Sequence, residues 1–416
     1  MAYIETYDIV VIGLGAHGSS TLWHLSRTGA KIAGIDRFHP PHQHGSSHGE
    51  SRIIRQAYHE NPLYVPLVRA AYPIWKELGE IAGRPLFQKT GGLFLGNKDT
   101  TVVSGARLSA DTHNIPYDYL DATAIRNRFP AFRPTGDTVG VLEHEAGILF
   151  PEAAIDTFLQ TAAANGAQIN TDEQVTGIRP SASGVELTTT KGKYRTGKLI
   201  VTAGAWLNSL LPELNLPLSI RRQPLFWFRD RDKNTPAPGP RTASGSAAPA
   251  SRAETSSAGV ASASPSSGPP AEAPAPIFLW EYEKDKMFYG IPDLGHGLKL
   301  GWHHGGRRIN PDELCQNVEK EEIADMQKTA TQYLTIDPIY QKSCVCMYTN
   351  TPDEDFIIDL HPQHPHIVIA SPCSGHGFKF SAIIGRLLAD LALDRPTGFD
   401  LTPFSIRRKA LTPSPA

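Results

Sequence analysis

Three glycines and one acid near the start of the chain have the spacing of a diphosphate cradle. Gly13, Gly15 and Gly18 form a G-x-G-x-x-G turn, and Asp36 lies 18 residues beyond Gly18. Gly13 allows the tight turn, Gly15 lets a pyrophosphate approach the backbone, and Gly18 lets a helix pack closely on a strand. The helix N-terminus then faces the phosphates, and Asp36 accepts hydrogen bonds from a ribose. An ADP moiety is the ligand that suits these residues. A second glycine turn, Ser374-Gly375-His376-Gly377, lies far along the chain and ends in Phe378 and Lys379. Between the two turns, small residues stand beside Arg52 and Arg55, with His42, His44 and His48 close by, a composition suited to an anionic or electron-rich group. Lys299 is a lone cation between apolar Leu298 and Leu300. The four cysteines, Cys315, Cys344, Cys346 and Cys373, have neither metal-ligand spacing nor a C-x-x-C pair, so no metal centre or disulfide framework is expected.

These residues need elements to hold them. Residues 8–12 are a short β-branched run, the composition of a buried parallel strand, and residues 19–28 read as the helix after the turn, stopped near Gly29. Residues 31–35 make the second strand, ending in Asp36. Residues 198–202 form another buried strand that runs into Ala203 and Gly204, and residues 367–370 form a last one before the second glycine turn and a helix over 380–393. Residues 62–82 have a helical apolar face, with Pro66 and Pro73 predicting a late start or a kink. Strands are expected at 91–95, 147–150 and 168–175, a helix at 151–165, and a hairpin from 185–188 and 193–195. Further strands are expected at 225–228, 277–280, 287–292, 297–304, 344–350 and 356–359. Residues 234–276 are almost entirely Pro, Ala, Ser, Gly and Thr without an aromatic residue, so they are expected to be a disordered surface insertion.

Length and composition set the outer bounds. At 416 residues two domains are expected, and 40% hydrophobic with 20% charged residues is ordinary for a globular protein. A formal net charge of −2 gives no reason to expect nucleic acid or an anionic membrane as partner. The first six residues have no basic or apolar leader pattern, and no apolar run reaches the length of a membrane span. A cytoplasmic enzyme is the expectation.

Five blocks together resemble the monomeric sarcosine oxidase and N-methyltryptophan oxidase family of flavoproteins. They are the opening glycine unit, residues 40–58, 297–306, 346–360 and 374–381, and the resemblance covers nearly the whole chain outside 234–276. It implies an α/β (α+β overall) fold with a glutathione-reductase-like FAD-binding Rossmann domain and an antiparallel-sheet substrate domain. The expected division is 1–90, 145–215 and 335–410 for FAD, and 91–144 and 216–334 for substrate. It implies FAD held by a thioether through Cys346, which heads the segment Cys-Met-Tyr-Thr, with a noncovalent flavin as the competing reading. The expected cofactor contacts are Gly13, Gly15, Gly18, Asp36, Arg37, Ser46, Val175, Gly204, Cys346, Gly375, Gly377 and Lys379. Lys299 matches the lysine that assists reaction of reduced flavin with O2, Arg55 and Lys379 match the substrate-carboxylate pair, and Tyr289 and His303 match the substrate pocket. His48 and Arg52 match residues beside the flavin ring, while His17 and His59 carry no assigned role.

The implied reaction is oxidation of a secondary N-methyl amino acid, with hydride passing to flavin N5, formaldehyde released from the imine, and H2O2 formed from O2, by a monomer. Related oxidation of cyclic imino acids or glycated amino acids is the alternative. An NAD-dependent dehydrogenase would share the opening motif but would have no use for Cys346, and an adaptor role would rest on residues 234–276 alone. Two departures from the family pattern concern the pocket: Pro372-Cys373 stands where small or apolar residues are usual, and the run Phe278-Leu279-Trp280-Glu281 brings large side chains.

Overall fold

β1 (Glu5–Ile12) occupies the middle of an eight-stranded sheet because its alternate residues are apolar on both faces. In this computed structural model, which describes residues 4–231 and 275–412, β2 (Ile32–Ile35) and the strand Lys193–Val201 flank β1, both parallel to it. Strands Gln168–Asn170 and Ile367–Ser371 extend the parallel set outward. Ile9 and Val11 face a helical layer made of α1 (Ala16–Ser26) and the helices Val65–Ile81, Pro151–Ala164 and Ser381–Ala392. Val10 and Ile12 face the other way, onto Leu207, Leu211 and Leu216. The period-two alternation thus builds two cores, one on each side of the sheet.

Two strand expectations change. Residues 168–175, expected as one strand, are split: Gln168–Asn170 follows β2, whereas Val175–Ser181 pairs antiparallel with Gly184–Thr189. Asp172 takes φ +53 at the break, and the buried Glu173 carboxylate accepts from the Thr189 and Tyr194 hydroxyls, which turns the chain away. The hairpin arm at 193–195 and the buried run at 198–202 are instead one strand, Lys193–Val201. Its first half pairs with Gly184–Thr189 and its second half with Ile367–Ser371. The helix Val65–Ile81 starts late, with Pro66 in its first turn, where no backbone donor is needed, and Pro73 inside it.

The second sheet also has eight strands and is antiparallel throughout except where Gly92–Asn97 runs parallel to Ile277–Glu283. The strand Pro338–Asn350, placed with the first domain by the boundary at 335, pairs along Ser219–Asp230 and so belongs to this sheet. One face carries Phe226, Phe228, Phe278, Trp280, Phe288 and Leu300, packed on Met326 and Ala330 of the helix Lys320–Tyr333. The opposite face carries a row in cross-strand register, Phe94, Leu279, Tyr289 and Gly301, and that row roofs a cleft. The large side chains of Phe278 and Trp280, read with the pocket strand, therefore point away from the cleft, and only Leu279 of that run lines it. Residues 234–274 of the insertion lie outside the described residues. Among the described residues no helix is long and apolar enough to cross a membrane.

Candidate active site

Two clefts meet at Ala16, Ser46, Ser47 and Cys373, which line both. The larger, about 1440 Å³, runs along the C-terminal ends of β1 and β2 and is lined by Gly13, Gly15, Asp36, Arg37, Ser46, Val175 and Gly204. Gly15 is the N-cap of α1 and offers no side-chain cap; Ala16 N–H donates to Ser47 Oγ at 3.3 Å, and the helix N-terminus otherwise faces the cleft where an anion would be favoured. A Cβ added at Gly15 would meet only Ser47 Oγ, at 3.6 Å, whereas one at Gly18 would sit 1.7 Å from the Gly13 carbonyl oxygen. Gly15 thus keeps the cradle open, and Gly18 serves packing behind it. Asp36 accepts from Leu14 N–H at 2.6 Å and from Phe38 N–H at 2.8 Å, so it builds the turn as well as lining the cleft. Arg37 pairs with Asp312 at 2.6 Å and lies over Phe38 and Trp206 at the rim. The residues present fit an elongated dinucleotide with its phosphates at α1.

The second cleft, about 990 Å³, brings together Arg52, Arg55, Tyr289, His303, Cys346, Gly375, Gly377 and Lys379 from both ends of the sequence. Arg55 lies 4.2 Å over the Tyr58 ring and Lys379 Nζ lies 5.3 Å from the same ring, so one aromatic ring attracts both cations. Lys379 Nζ donates to the His376 carbonyl at 2.7 Å, and burial beside Arg55 lowers its pKa to about 7. Tyr58 Oη and His376 Nδ1 stand 2.5 Å apart beneath them. The Glu143 carboxylate accepts three hydrogen bonds from Gln56 and Ala57 N–H groups, fixing the backbone immediately after Arg55.

Two assigned residues lie behind this wall. Lys299 is 2% exposed, and its Nζ donates to the Gly49 and Ser51 carbonyls at 2.7 and 2.8 Å. Burial and then Arg52 lower its pKa to about 7. His48 is 2% exposed with Nε2 unpartnered among the described residues, and burial and Arg52 lower its pKa to about 4. Arg52 donates to the Ser51 and Ser46 carbonyls at 2.8 and 2.7 Å, tying the loop that separates the two clefts. Cys346 is buried in the cleft wall; burial pushes its thiol pKa up, while Arg52 and Lys299 pull the other way.

Sequence reasoning missed Glu60, Tyr58, Tyr348 and Glu143. Glu60 accepts from Arg55 Nη2 through both carboxylate oxygens, at 2.7 and 2.6 Å, and lines the cleft. An acid five residues after an assigned arginine was the available signal. Tyr348, inside the Cys-Met-Tyr-Thr segment, lies 3.4 Å from His303 Nδ1, and its ring fills the place a side chain on Gly375 would need. Glu143 gave no sequence signal, because its donors are backbone groups of a remote loop.

Comparison with known proteins agrees with this geometry. The family model described as FAD dependent oxidoreductase matches residues 8–391. The chain is 35% identical over 414 residues to a monomeric sarcosine oxidase of Streptomyces avermitilis, covering 98% of this chain and 99% of the relative. It is 34% identical over 409 residues to an N-methyl-L-tryptophan oxidase of Escherichia coli K12, covering 97% and 99%. Among solved structures, the glycine oxidase of Geobacillus kaustophilus superposes with TM-score 0.76 at 18% identity, covering 97% of this chain and 99% of that one, which shows the shared fold.

Proposed function

Because the chain belongs to the FAD-dependent oxidoreductase family, we propose that it oxidises secondary N-methyl amino acids of the sarcosine or N-methyltryptophan type. The observation that carries this reading is the convergence of Arg55 and Lys379 on the Tyr58 ring, under a roof formed by Tyr289 and His303. A guanidinium and an ammonium brought together in a poorly solvated cleft form a receptor for one carboxylate. The carboxylate would share Arg55 with Glu60 and would hold the Lys379 proton, whose pKa burial has brought down to about 7. FAD, when bound, supplies the two-electron acceptor and the reaction with O2. The protein's share is orientation, water exclusion and charge placement. Gly301, where a Cβ would stand 2.8 Å from Tyr289 Oη, leaves room for that roof ring. The overall balance is R–NH–CH3 plus O2 and H2O giving R–NH2, formaldehyde and H2O2.

Lys299 fits the role of a fixed cation behind the loop at Gly49–Ser51, Arg52 ties the loop between the clefts with His48 buried behind it, and Cys346 is the attachment residue. The same reading takes Pro338–Asn350 with the substrate sheet and the rest of the division as expected, a monomer, and a reducing cytoplasm that suits four free cysteines. Flavin-loaded protein should release H2O2 with sarcosine, N-methyl-tryptophan or both. Turnover confined to pipecolate would move the reading to cyclic imino acids. The covalent link has its own test: acid-precipitated protein should stay yellow and the peptide holding Cys346 should carry the FAD mass. Colour that leaves wholly with the supernatant contradicts the thioether.

A further inference from the structure

We propose that His59, Glu60 and His303 form a site for a borderline divalent cation such as Zn2+ in the wall of the substrate cleft. One ligand-type atom from each residue lies within 4.8 Å of the other two. His59 Nδ1 and Glu60 Oε2 are already 3.3 Å apart, close to the roughly 3.4 Å that separates two ligand atoms on a tetrahedral zinc with bonds near 2.0–2.1 Å. His303 enters from a different element, the strand Leu298–His303. A ligand set drawn from a loop and a strand that meet across a cleft is a built arrangement, unlike a run of exposed side chains.

A second observation points the same way. The His59 ring is 3% exposed, and its Nδ1 has no hydrogen-bond partner among the described residues. A buried ring nitrogen left without a hydrogen bond is costly, and a cation would satisfy it. The ligand chemistry is also right, since zinc takes neutral imidazole and carboxylate. Burial lowers the His59 pKa to about 3 and holds His303 well below its usual value, so both rings are neutral at ordinary pH. Glu60 keeps its charge, held well below the carboxylate range by the Arg55 guanidinium. Arg55 Nη2 donates to both oxygens of that carboxylate and opposes a second cation, so this site is weaker than a closed structural zinc centre.

Two histidines and one carboxylate leave a fourth position facing the cleft. Resting on the amine-oxidase reading, that position would take the substrate amine or carboxylate. A nitrogen whose lone pair is bound to a cation cannot give up electrons, so the metal acts as an inhibitor that competes with substrate and is removed by a chelator.

The test is titration of flavin-loaded protein with ZnCl2 by equilibrium dialysis, without substrate, on the parent and on His59→Phe and His303→Phe. Each variant keeps a ring of similar volume, and the two sit on separate elements; the flavin absorption spectrum reports whether each is folded. The cluster of His361, His364 and His366, with His361 buried and the other two half-buried, is present in all three proteins and serves as a common background. The parent should bind one more equivalent than either variant, or bind it at least about tenfold more tightly. Equal stoichiometry and affinity in all three overturn the site. Because no substrate is present, this result stands apart from whether the protein oxidises N-methyl amino acids.

Discussion

Arg55→Ala should raise KM for an N-methyl amino acid by about 10²-fold while changing the decarboxylated amine by far less. Two charge-assisted hydrogen bonds in a buried cleft are worth roughly 3 kcal/mol, and about 1.4 kcal/mol is tenfold. Sarcosine against dimethylamine is the comparison that isolates the carboxylate. The pairing of Arg55 with Glu60 at 2.6 Å complicates the single variant, since alanine leaves a buried carboxylate unpaired. The double replacement Arg55→Met with Glu60→Gln removes both charges and should show the same selective loss with its flavin retained. A pH effect should accompany it. The Lys379 pKa is depressed to about 7, so its ammonium is present below that value and lost above it, and KM for the amino acid should climb as pH rises through about 7. If both compounds lose the same factor in Arg55→Ala, Arg55 braces the loop and does not read the carboxylate.

Lys299→Met should slow reoxidation by air about 10²–10³-fold while leaving reduction by substrate much closer to the parent rate. A fixed cation where negative charge develops is worth roughly 2.7–4 kcal/mol. Lys299 is fixed: two carbonyls hold its Nζ at 2.7 and 2.8 Å, and the Trp227 ring lies 5.4 Å away. Its pKa is lowered to about 7, so the ammonium fills below that value and empties above it. Parent reoxidation should accordingly slow as pH rises through about 7, and the Met variant should show no such dependence. Stopped-flow mixing of reduced enzyme with oxygenated buffer reads both effects. Equal slowing of the reductive and oxidative halves would remove Lys299 from the role.

Local signals carried much of this structure, and their failures have a common cause. The turn at Gly13–Gly18, β2 running into Asp36, and the second turn at Gly375 lay open in the sequence because each belongs to a contiguous run of strand, turn and helix. The apolar run 198–202 was legible as buried, yet its fusion with the hairpin arm at 193–195 was not, because one strand there serves an antiparallel and a parallel partner in succession. The break at Asp172 depends on where Glu173 finds hydroxyl partners, 16 and 21 residues away. Within the site, residue types pointed to Arg55, Lys379 and Cys346, but the resemblance supplied their roles. Their mutual placement comes from cross-strand register and from Tyr58, whose ring holds two cations that repel each other. The inverted orientation of Phe278 and Trp280 follows from strand period alone and could have been read once Leu279 was set facing the cleft.

The central claim is that a carboxylate-bearing N-methyl amine is oxidised here at its methyl group. The most direct measurement is product stoichiometry of flavin-loaded parent protein under air, with sarcosine or N-methyl-tryptophan as substrate. Formaldehyde, H2O2 and demethylated amino acid should appear in equal amounts, matching the oxygen consumed. Peroxide without formaldehyde, or no oxygen consumption with either compound, would contradict the account.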